Sequence, residues 1–153
     1  MTDNIMHMVK VLSNQLSRKM NRFAKQFGLT GVQLQIIDYL NTLPQNQYVY
    51  QKDIENEFNI RRSTATSILQ KMEENKLIVR NVSPSDSRVK IISVLPKAEK
   101  LQPKIVAFLK KSDEEILDCV NVFQRHSFMK ALKKIPEQLE KNDPDDQKAK
   151  GKE

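Results

Sequence analysis

Residues 59–72, NIRRSTATSILQKM, decide how this chain folds. The apolar side chains of this stretch recur at intervals of three and four residues, which predicts one buried face of an α-helix. These side chains are Ala65, Ile68, Leu69 and Met72. Apart from Ile60, the remaining positions are polar and include a cluster of four hydroxyl residues, Ser63, Thr64, Thr66 and Ser67. Because Ser and Thr form helices less readily than Ala, their crowding on an exposed helix face marks a candidate site.

A second, shorter helix is predicted immediately before this stretch, from Lys52 to Phe58. Ile54 and Phe58 supply its apolar face, and Asn59 suits the left-handed conformation of a tight turn. A helix, a turn of roughly three to four residues and a second amphipathic helix form the helix-turn-helix pattern.

A β-hairpin is predicted on the other side. Leu77–Val82 and Val89–Val94 are rich in β-branched residues, and residues 83–87, SPSDS, have the composition of a turn. The three elements together predict a winged helix-turn-helix.

The flanking segments predict further helices. An apolar stripe runs from Ile5 to Phe27, Gly28 suits a left-handed helix cap, and residues 30–33, TGVQ, form a capping box that starts another helix. After the hairpin, Pro96 suits a first helical turn, and a single helix is expected as far as Val120.

A fresh helix start is expected at Asn121, and an apolar stripe from Phe128 to Leu139 predicts a terminal helix. The predicted fold class is therefore mainly α, with a small β-hairpin wing.

The polar face of the quoted stretch resembles a surface that contacts DNA. A major groove about 12 Å wide accepts a helix, arginine pairs with guanine, and hydroxyl groups suit phosphates. The candidate DNA-binding residues are Arg61, Arg62, Ser63, Thr64, Thr66, Ser67, Gln70 and Lys71. The alternative is that Ser63 and Thr64 only cap the helix and that the arginines are solvated.

The hairpin adds further candidates. Arg88 follows the turn and is suited to a minor groove, and Asp86 is expected to orient it through a charge-assisted hydrogen bond. Arg80 and Lys90 lie on the strands as candidate phosphate contacts or as solvated residues.

Composition limits the other function classes. The net charge of +7 is compatible with a polyanionic partner but is spread evenly along the chain. The longest apolar run is far shorter than the roughly 18 residues of a membrane span, and there is no signal-peptide core. The single cysteine, Cys119, forms no disulfide framework, and we expect it to be a buried, inert thiol. No metal-ligand spacing occurs, so we expect a cytoplasmic protein without metal or cofactor.

Residues 29–98 resemble the winged helix of the MarR (multiple antibiotic resistance regulator) family. The matching segments are LTGVQ at 29–33, residues 53–60, STAT at 63–66, residues 72–78, and DSR at 86–88 with Ile92. The resemblance implies a homodimer whose first helix and last two helices intertwine, with the helix beginning near Arg62 in the major groove and Arg88 in the minor groove. Lys76 stands where the family often has glycine, so we expect Asn75 to adopt the left-handed conformation instead.

The terminal stripes predict the dimer independently, because several leucine-sized side chains left in water are costly. The alternative is that the terminal helices pack only on their own subunit. We expect one domain over residues 1–141, with a winged helix at about 30–95 and dimerisation helices at 1–28 and 96–141. Residues 142–153 are expected to form a disordered tail.

The resemblance further implies a site for a small aromatic effector. Residues of suitable type are Met20, Phe23, Phe27, Tyr39 and Phe108. The same types serve equally well as core.

The function predicted from these features is sequence-specific binding of double-stranded DNA, with repression by a homodimer on a palindromic operator. An alternative is a winged-helix protein-interaction module with little DNA affinity. No nucleophile–base pair or carboxylate pair is identifiable, so an enzyme is not expected.

Overall fold

The computed structural model describes residues 4–142, which are mainly helical with one β-hairpin, and this confirms the predicted fold class. The helices are α1 (Ile5–Lys25), α2 (Gly31–Thr42), α3 (Gln51–Glu57), α4 (Arg62–Glu74), α5 (Pro96–Glu99), α6 (Gln102–Asp118) and α7 (Arg125–Asn142). The strands are β1 (Ile78–Val82) and β2 (Lys90–Val94). Of the predicted tail, only Asn142 lies within the described residues, where it ends α7.

The chain divides into two compact units between Ala107 and Phe108, and α6 runs across this boundary. The units are described separately below, and the single domain expected over residues 1–141 stays a prediction.

The first unit has a dense apolar core beneath α4. Its largest fully buried side chains come from α2, α3, α4, β1 and α6, together with the segment that leads into β1. They are Leu34, Ile36, Ile37, Ile54, Leu69, Met72, Leu77, Ile78 and Ile105. The helix predicted from residues 59–72 therefore has its apolar face on this core.

The junction between α1 and α2 depends on Gly31. A Cβ at this position would lie 2.7 Å from Cγ of Met20, a distance that no packed side chain tolerates. The Gly31 N–H also donates to Oδ1 of Asn21 at 2.7 Å, so the start of α2 lies directly against α1. The predicted capping box is present, because Thr30 and Gln33 exchange hydrogen bonds.

The hairpin is antiparallel, with Arg80 opposite Ile92 and Val82 opposite Lys90. The segment before α3 adds a short third edge, because the Ile92 N–H donates to the Val49 carbonyl at 2.8 Å. This contact ties the hairpin to the entrance of the helix-turn-helix.

The turn between α4 and β1 differs from the prediction. Lys76 itself adopts the left-handed conformation with φ of 56°, whereas Asn75 has φ of −80°. The expectation for Asn75 was wrong, because the hydrogen bonds of the turn determine which residue adopts the left-handed conformation. The Lys76 N–H bonds to the Glu73 carbonyl and the Leu77 N–H to the Met72 carbonyl, and this pattern places residue 76 in the left-handed position.

The single helix expected after Pro96 is also wrong, since α5 and α6 are separate. The chain turns at Lys100 and Leu101, where the Leu101 N–H donates to the Ala98 carbonyl at 3.0 Å. Ala98, Leu101 and Ile105 keep helical spacing across the break, so apolar periodicity could not reveal it. Gln102 then joins α6 to α2 by donating to Oδ1 of Asp38 at 2.7 Å.

The second unit contains the end of α6, a 3-10 turn at Val122–Gln124 and α7. The fresh start predicted at Asn121 is confirmed, because its Oδ1 accepts from the Phe123 N–H at 3.0 Å. The expected burial of Cys119 is wrong: this cysteine is exposed. Its neighbours Ile116 and Val120 are themselves only partly buried, so an apolar sequence context did not produce a covered site.

Candidate nucleic-acid interface

The turn between α3 and α4 sets the angle of the candidate recognition helix. Asn59 has φ of 46°, which confirms the predicted left-handed turn residue. The Ile60 N–H then donates to the Glu55 carbonyl at 3.0 Å and closes the end of α3. At the other end of α3, Oδ2 of Asp53 accepts from the Tyr50 N–H at 2.7 Å. Both ends of the short helix are therefore fixed before α4 begins.

Helix α4 has one buried and one exposed face. Ala65, Leu69 and Met72 are fully buried, and the first turn contains no acidic residue. The exposed side chains include most of the predicted DNA-binding set: Arg61, Arg62, Ser63, Thr64, Ser67, Gln70 and Lys71. The structure thus places seven predicted residues in accessible positions at and after the start of α4, and we call these seven residues the α4 face.

The start of α4 excludes one alternative interpretation of the hydroxyl cluster. Arg61 is the N-cap residue and its side chain forms no capping hydrogen bond, while Ser63 and Thr64 lie inside the first turn. Because a capping hydroxyl belongs to the N-cap residue, neither Ser63 nor Thr64 is the cap.

Thr66 differs from its neighbours on α4 because it is only partly exposed. Its Oγ1 accepts a hydrogen bond of 2.9 Å from Nε2 of Gln51, the first residue of α3. Gln51 is not identifiable as a site residue from the sequence, since nothing in the spacing of positions 51 and 66 indicates a contact between them.

The wing presents Arg88 at its tip, with a side chain that is 88% exposed. As predicted, Asp86 orients it: Oδ1 accepts from Nε at 3.1 Å and Oδ2 from a terminal nitrogen at 3.2 Å. Hydrogen bonds from the Arg88 side chain and backbone lower the pKa of Asp86 below its usual range. The guanidinium therefore contacts Asp86 through Nε and one terminal nitrogen, and most of the side chain is in solvent.

Arg80 has a different environment. Its side chain is 17% exposed and donates to Oε2 of Glu73 from two nitrogens, at 2.7 and 3.0 Å. These bonds are the main cause that lowers the pKa of Glu73. Arg80 therefore joins the last turn of α4 to β1, and its guanidinium is already engaged within the protein.

Lys90, the other predicted strand residue, is exposed at the start of β2. Its charge also contributes to lowering the pKa of Glu73. Lys90 is paired with Val82, which lies two residues after Arg80 on β1 and therefore on the same face of the hairpin. Lys90 thus adds a positive charge to the face that carries Arg80.

The residues suggested for an effector site occupy several places. Phe23 and Phe27 contact each other edge to face at 5.4 Å, and Nζ of Lys104 lies 5.5 Å from the Phe27 ring centre. Met20 packs against Gly31, and the Tyr39 ring contacts Phe58 at 5.9 Å. Phe108 belongs to the second unit.

Two further residues that support α4 were missed by the sequence analysis. Glu73 pairs with Arg80, and Nζ of Lys97 donates to the Asn75 carbonyl at 3.0 Å, next to the C-terminus of α4. Both contacts join residues from different elements, so no local sequence pattern predicts them.

Among residues 4–142, no helix is both long and apolar enough to cross a membrane.

Comparison with known proteins places this geometry in a family. Residues 27–89 match the sequence profile of the MarR family. The crystal structure of the transcription regulator MarR from Oenococcus oeni PSU-1 is 39% identical with a TM-score of 0.75, and the match covers 88% of this chain and 99% of that one. A search of curated proteins gave no match.

Two more distant structures share the fold. The S. aureus MepR–DNA complex is 21% identical with a TM-score of 0.82, over 90% of this chain and 99% of that chain. A MarR-family regulator from Listeria monocytogenes complexed with 26mer DNA is 22% identical with a TM-score of 0.80, over 90% of each chain. Full-length similarity at 39% identity, together with the profile match, is decisive. The chain belongs to the MarR family, whose members are transcription regulators and not enzymes.

Proposed function

We propose that the protein binds double-stranded DNA sequence-specifically and represses transcription as a homodimer on a palindromic operator. The observation that carries this proposal is the exposed α4 face, whose first turn contains no acidic residue, together with the exposed Arg88 at the tip of the wing. A basic helix start suits base edges and phosphates in a major groove, and an arginine at a hairpin tip suits a minor groove. The DNA complexes of S. aureus MepR and the Listeria regulator, which share the fold, support this proposal.

The residues have different roles in the proposed complex. Arg62 and the hydroxyl residues contact base edges and nearby phosphates, and Gln70, Lys71 and Lys90 supply more peripheral contacts. Arg61 stands at the N-cap, where its charge adds to the positive end of the helix dipole. Because Arg80 is paired with Glu73, we assign it a supporting role in place of a phosphate contact.

The DNA test compares Arg62→Ala and Arg88→Ala with Arg18→Ala, which removes an exposed arginine of α1 outside the proposed interface. Operators are first selected from random duplexes, and dissociation constants are then measured at several salt concentrations. Loss of a base contact of about 1–3 kcal/mol weakens binding about 5- to 150-fold. Equal affinities for all three variants would refute the assignment of the interface.

The dimer proposal rests on apolar side chains that the described chain leaves in solvent. In α1, Ile5 is 76% and Val9 59% exposed; in α7, Ile135 is 54% and Leu139 66% exposed. Phe123 is 93% exposed. Such faces are costly in water, and a second copy of the same chain would cover them.

Sedimentation of the wild type and of Ile135→Asp tests the dimer. We expect a dimer for the wild type and a monomer for the variant, because a buried, unpaired carboxylate is strongly unfavourable. Lys130→Asp, on an exposed position of the same helix, controls for the introduced charge. A monomeric wild type at micromolar concentration would refute the dimer.

We also propose that a small aromatic effector weakens DNA binding. Met20, Phe23 and Phe27 offer apolar and aromatic surface, and Lys104 beside Phe27 adds a positive charge that suits an aromatic carboxylate. Tyr39, whose ring contacts Phe58, is a further candidate within the same unit. Calorimetry with aromatic carboxylates and phenols, combined with operator release, tests this proposal. A panel without binding or release would contradict it.

A further inference from the structure

Gln51 connects the two helices of the helix-turn-helix through its side-chain amide. Its Nε2 lies 2.9 Å from Oγ1 of Thr66 and 3.2 Å from Oε1 of Glu55. It also lies 3.4 Å from the carbonyl oxygen of Arg62, at the start of α4. Three oxygens from two helices therefore converge on one amide nitrogen.

The chemistry of these oxygens determines which way the amide faces. A carboxylate and a peptide carbonyl accept hydrogen bonds and have no hydrogen to donate. Turning the amide round would place its oxygen against Glu55 and the Arg62 carbonyl, with repulsion and no bond. Glu55 is itself held in place, with Oε2 lying 3.6 Å from Nζ of Lys52. The amide nitrogen therefore faces Thr66.

The amide orientation in turn sets the polarity of the Thr66 hydroxyl. Its oxygen accepts from Gln51, which leaves the hydroxyl hydrogen to donate elsewhere. Among residues 4–142 no hydrogen bond donated by this hydroxyl is found. Thr66 is partly exposed and lies between Arg62 and Gln70 along α4. Its hydrogen is thus available at the surface proposed to meet DNA.

In the major groove, a donor and an acceptor select different base edges. Purine N7, guanine O6 and thymine O4 accept, whereas adenine N6 and cytosine N4 donate. A hydroxyl alone discriminates weakly, because it can do either. A hydroxyl that already accepts one hydrogen bond and has its hydrogen unused favours the accepting edges, although one acceptor lone pair is left.

We infer that Gln51 is a specificity-determining positioning residue, which makes Thr66 a hydrogen-bond donor and so favours an accepting base edge at one operator position. This inference rests on the proposed DNA binding and adds the residue that sets its preference. Gln51 acts through Thr66 and without contact to the base.

The test is a double-mutant cycle in which the preferred base at each operator position is determined for every variant. Gln51→Met removes the amide at similar volume, Thr66→Val removes the hydroxyl at similar shape, and the third variant combines both. Each protein is used to select operators from a library of random duplexes, and affinities for the preferred sequence are measured. We expect each single variant to lose preference at the same base position, with affinity reduced about 3- to 10-fold. The double variant should be no weaker than Thr66→Val.

Two controls separate this role from a structural one. Gln35→Met changes an exposed glutamine on α2, and it should leave the operator preference unchanged. Thr66→Ser keeps the hydroxyl and should retain the wild-type preference. Thermal unfolding of every variant checks that the fold is preserved.

Each other outcome overturns the inference in a recognisable way. If Gln51→Met weakens all sequences equally, or if the two effects simply add, Gln51 only supports the fold and the proposed function stands. If Thr66→Val leaves the base preference unchanged, Thr66 does not contact a base. If the wild type selects no DNA sequence, the proposed function and this inference both fail.

Discussion

Helices α4 and α7 both have amphipathic sequences, but the apolar face of α4 is buried within the chain and that of α7 is exposed to solvent. The apolar face of α4 is fully buried at Ala65, Leu69 and Met72, whereas Ile135 and Leu139 of α7 are more than half exposed. The partners of α4, namely α3 and β1, belong to its own compact unit. An apolar stripe therefore predicts that a helix face is buried, but it does not specify whether the same chain or a second copy of the chain covers that face.

The largest expected effect comes from equal truncations in the two helices. Leu69→Ala removes a fully buried side chain and should lower the free energy of unfolding by about 2–5 kcal/mol. Leu139→Ala, at a position 66% exposed, should cost less than about 1 kcal/mol in a monomer. Urea denaturation combined with sedimentation measures both. A large cost for Leu139→Ala together with dissociation would show that a second copy covers α7. An equally large cost in a protein that sediments as a monomer would contradict the difference between the two helices.

A smaller effect is expected for the pair that fastens α4 to the wing. Glu73→Gln should lower stability at pH 7 by about 0.5–1 kcal/mol, because Glu73 is still 37% exposed and solvent screens the pair. The pKa of Glu73 is lowered in the folded protein, so its contribution is present above the ordinary value of 4.5 and is lost as the pH falls through the lowered pKa.

The pH dependence gives this prediction a sharp control. Thermal unfolding between pH 3 and pH 7 should show wild type and Glu73→Gln converging at the acidic end. Asp86→Asn removes the charge that pairs with Arg88 and should lower the free energy of unfolding less than Glu73→Gln does. It should also weaken DNA binding. A constant difference at every pH would contradict the role of the Glu73 charge.

The smallest expected effect concerns the turn that joins α4 to β1. Lys76→Gly should raise the free energy of unfolding by about 0.5 kcal/mol, because glycine adopts the left-handed conformation without steric cost. Asn75→Gly is the matched control and should lower stability, since φ at this position is −80°. Chemical denaturation resolves the two, and a reversed order would mean that Asn75 takes the left-handed position.

Much of the candidate interface was predictable because its signals are local. Seven residues of the α4 face follow from periodicity and hydroxyl content, and the Asp86–Arg88 contact follows from a spacing of two within a turn. The pairing of Arg80 with Glu73 and the contact of Gln51 with Thr66 were not predictable. They join side chains 7 and 15 positions apart on different elements, and only packing brings these together.

The helix-turn-helix, the wing and the amphipathic second helix that begins within NIRRSTATSILQKM follow from the sequence alone, because helix periodicity, turn residues and caps act over a few positions. The pairing of Arg80 with Glu73, the exposure of Cys119, the turn between α5 and α6 and the hydrogen bond from Gln51 to Thr66 are visible only in the tertiary structure. The physical reason is that burial and hydrogen-bond partners depend on which elements meet in space, and local spacing carries no record of that.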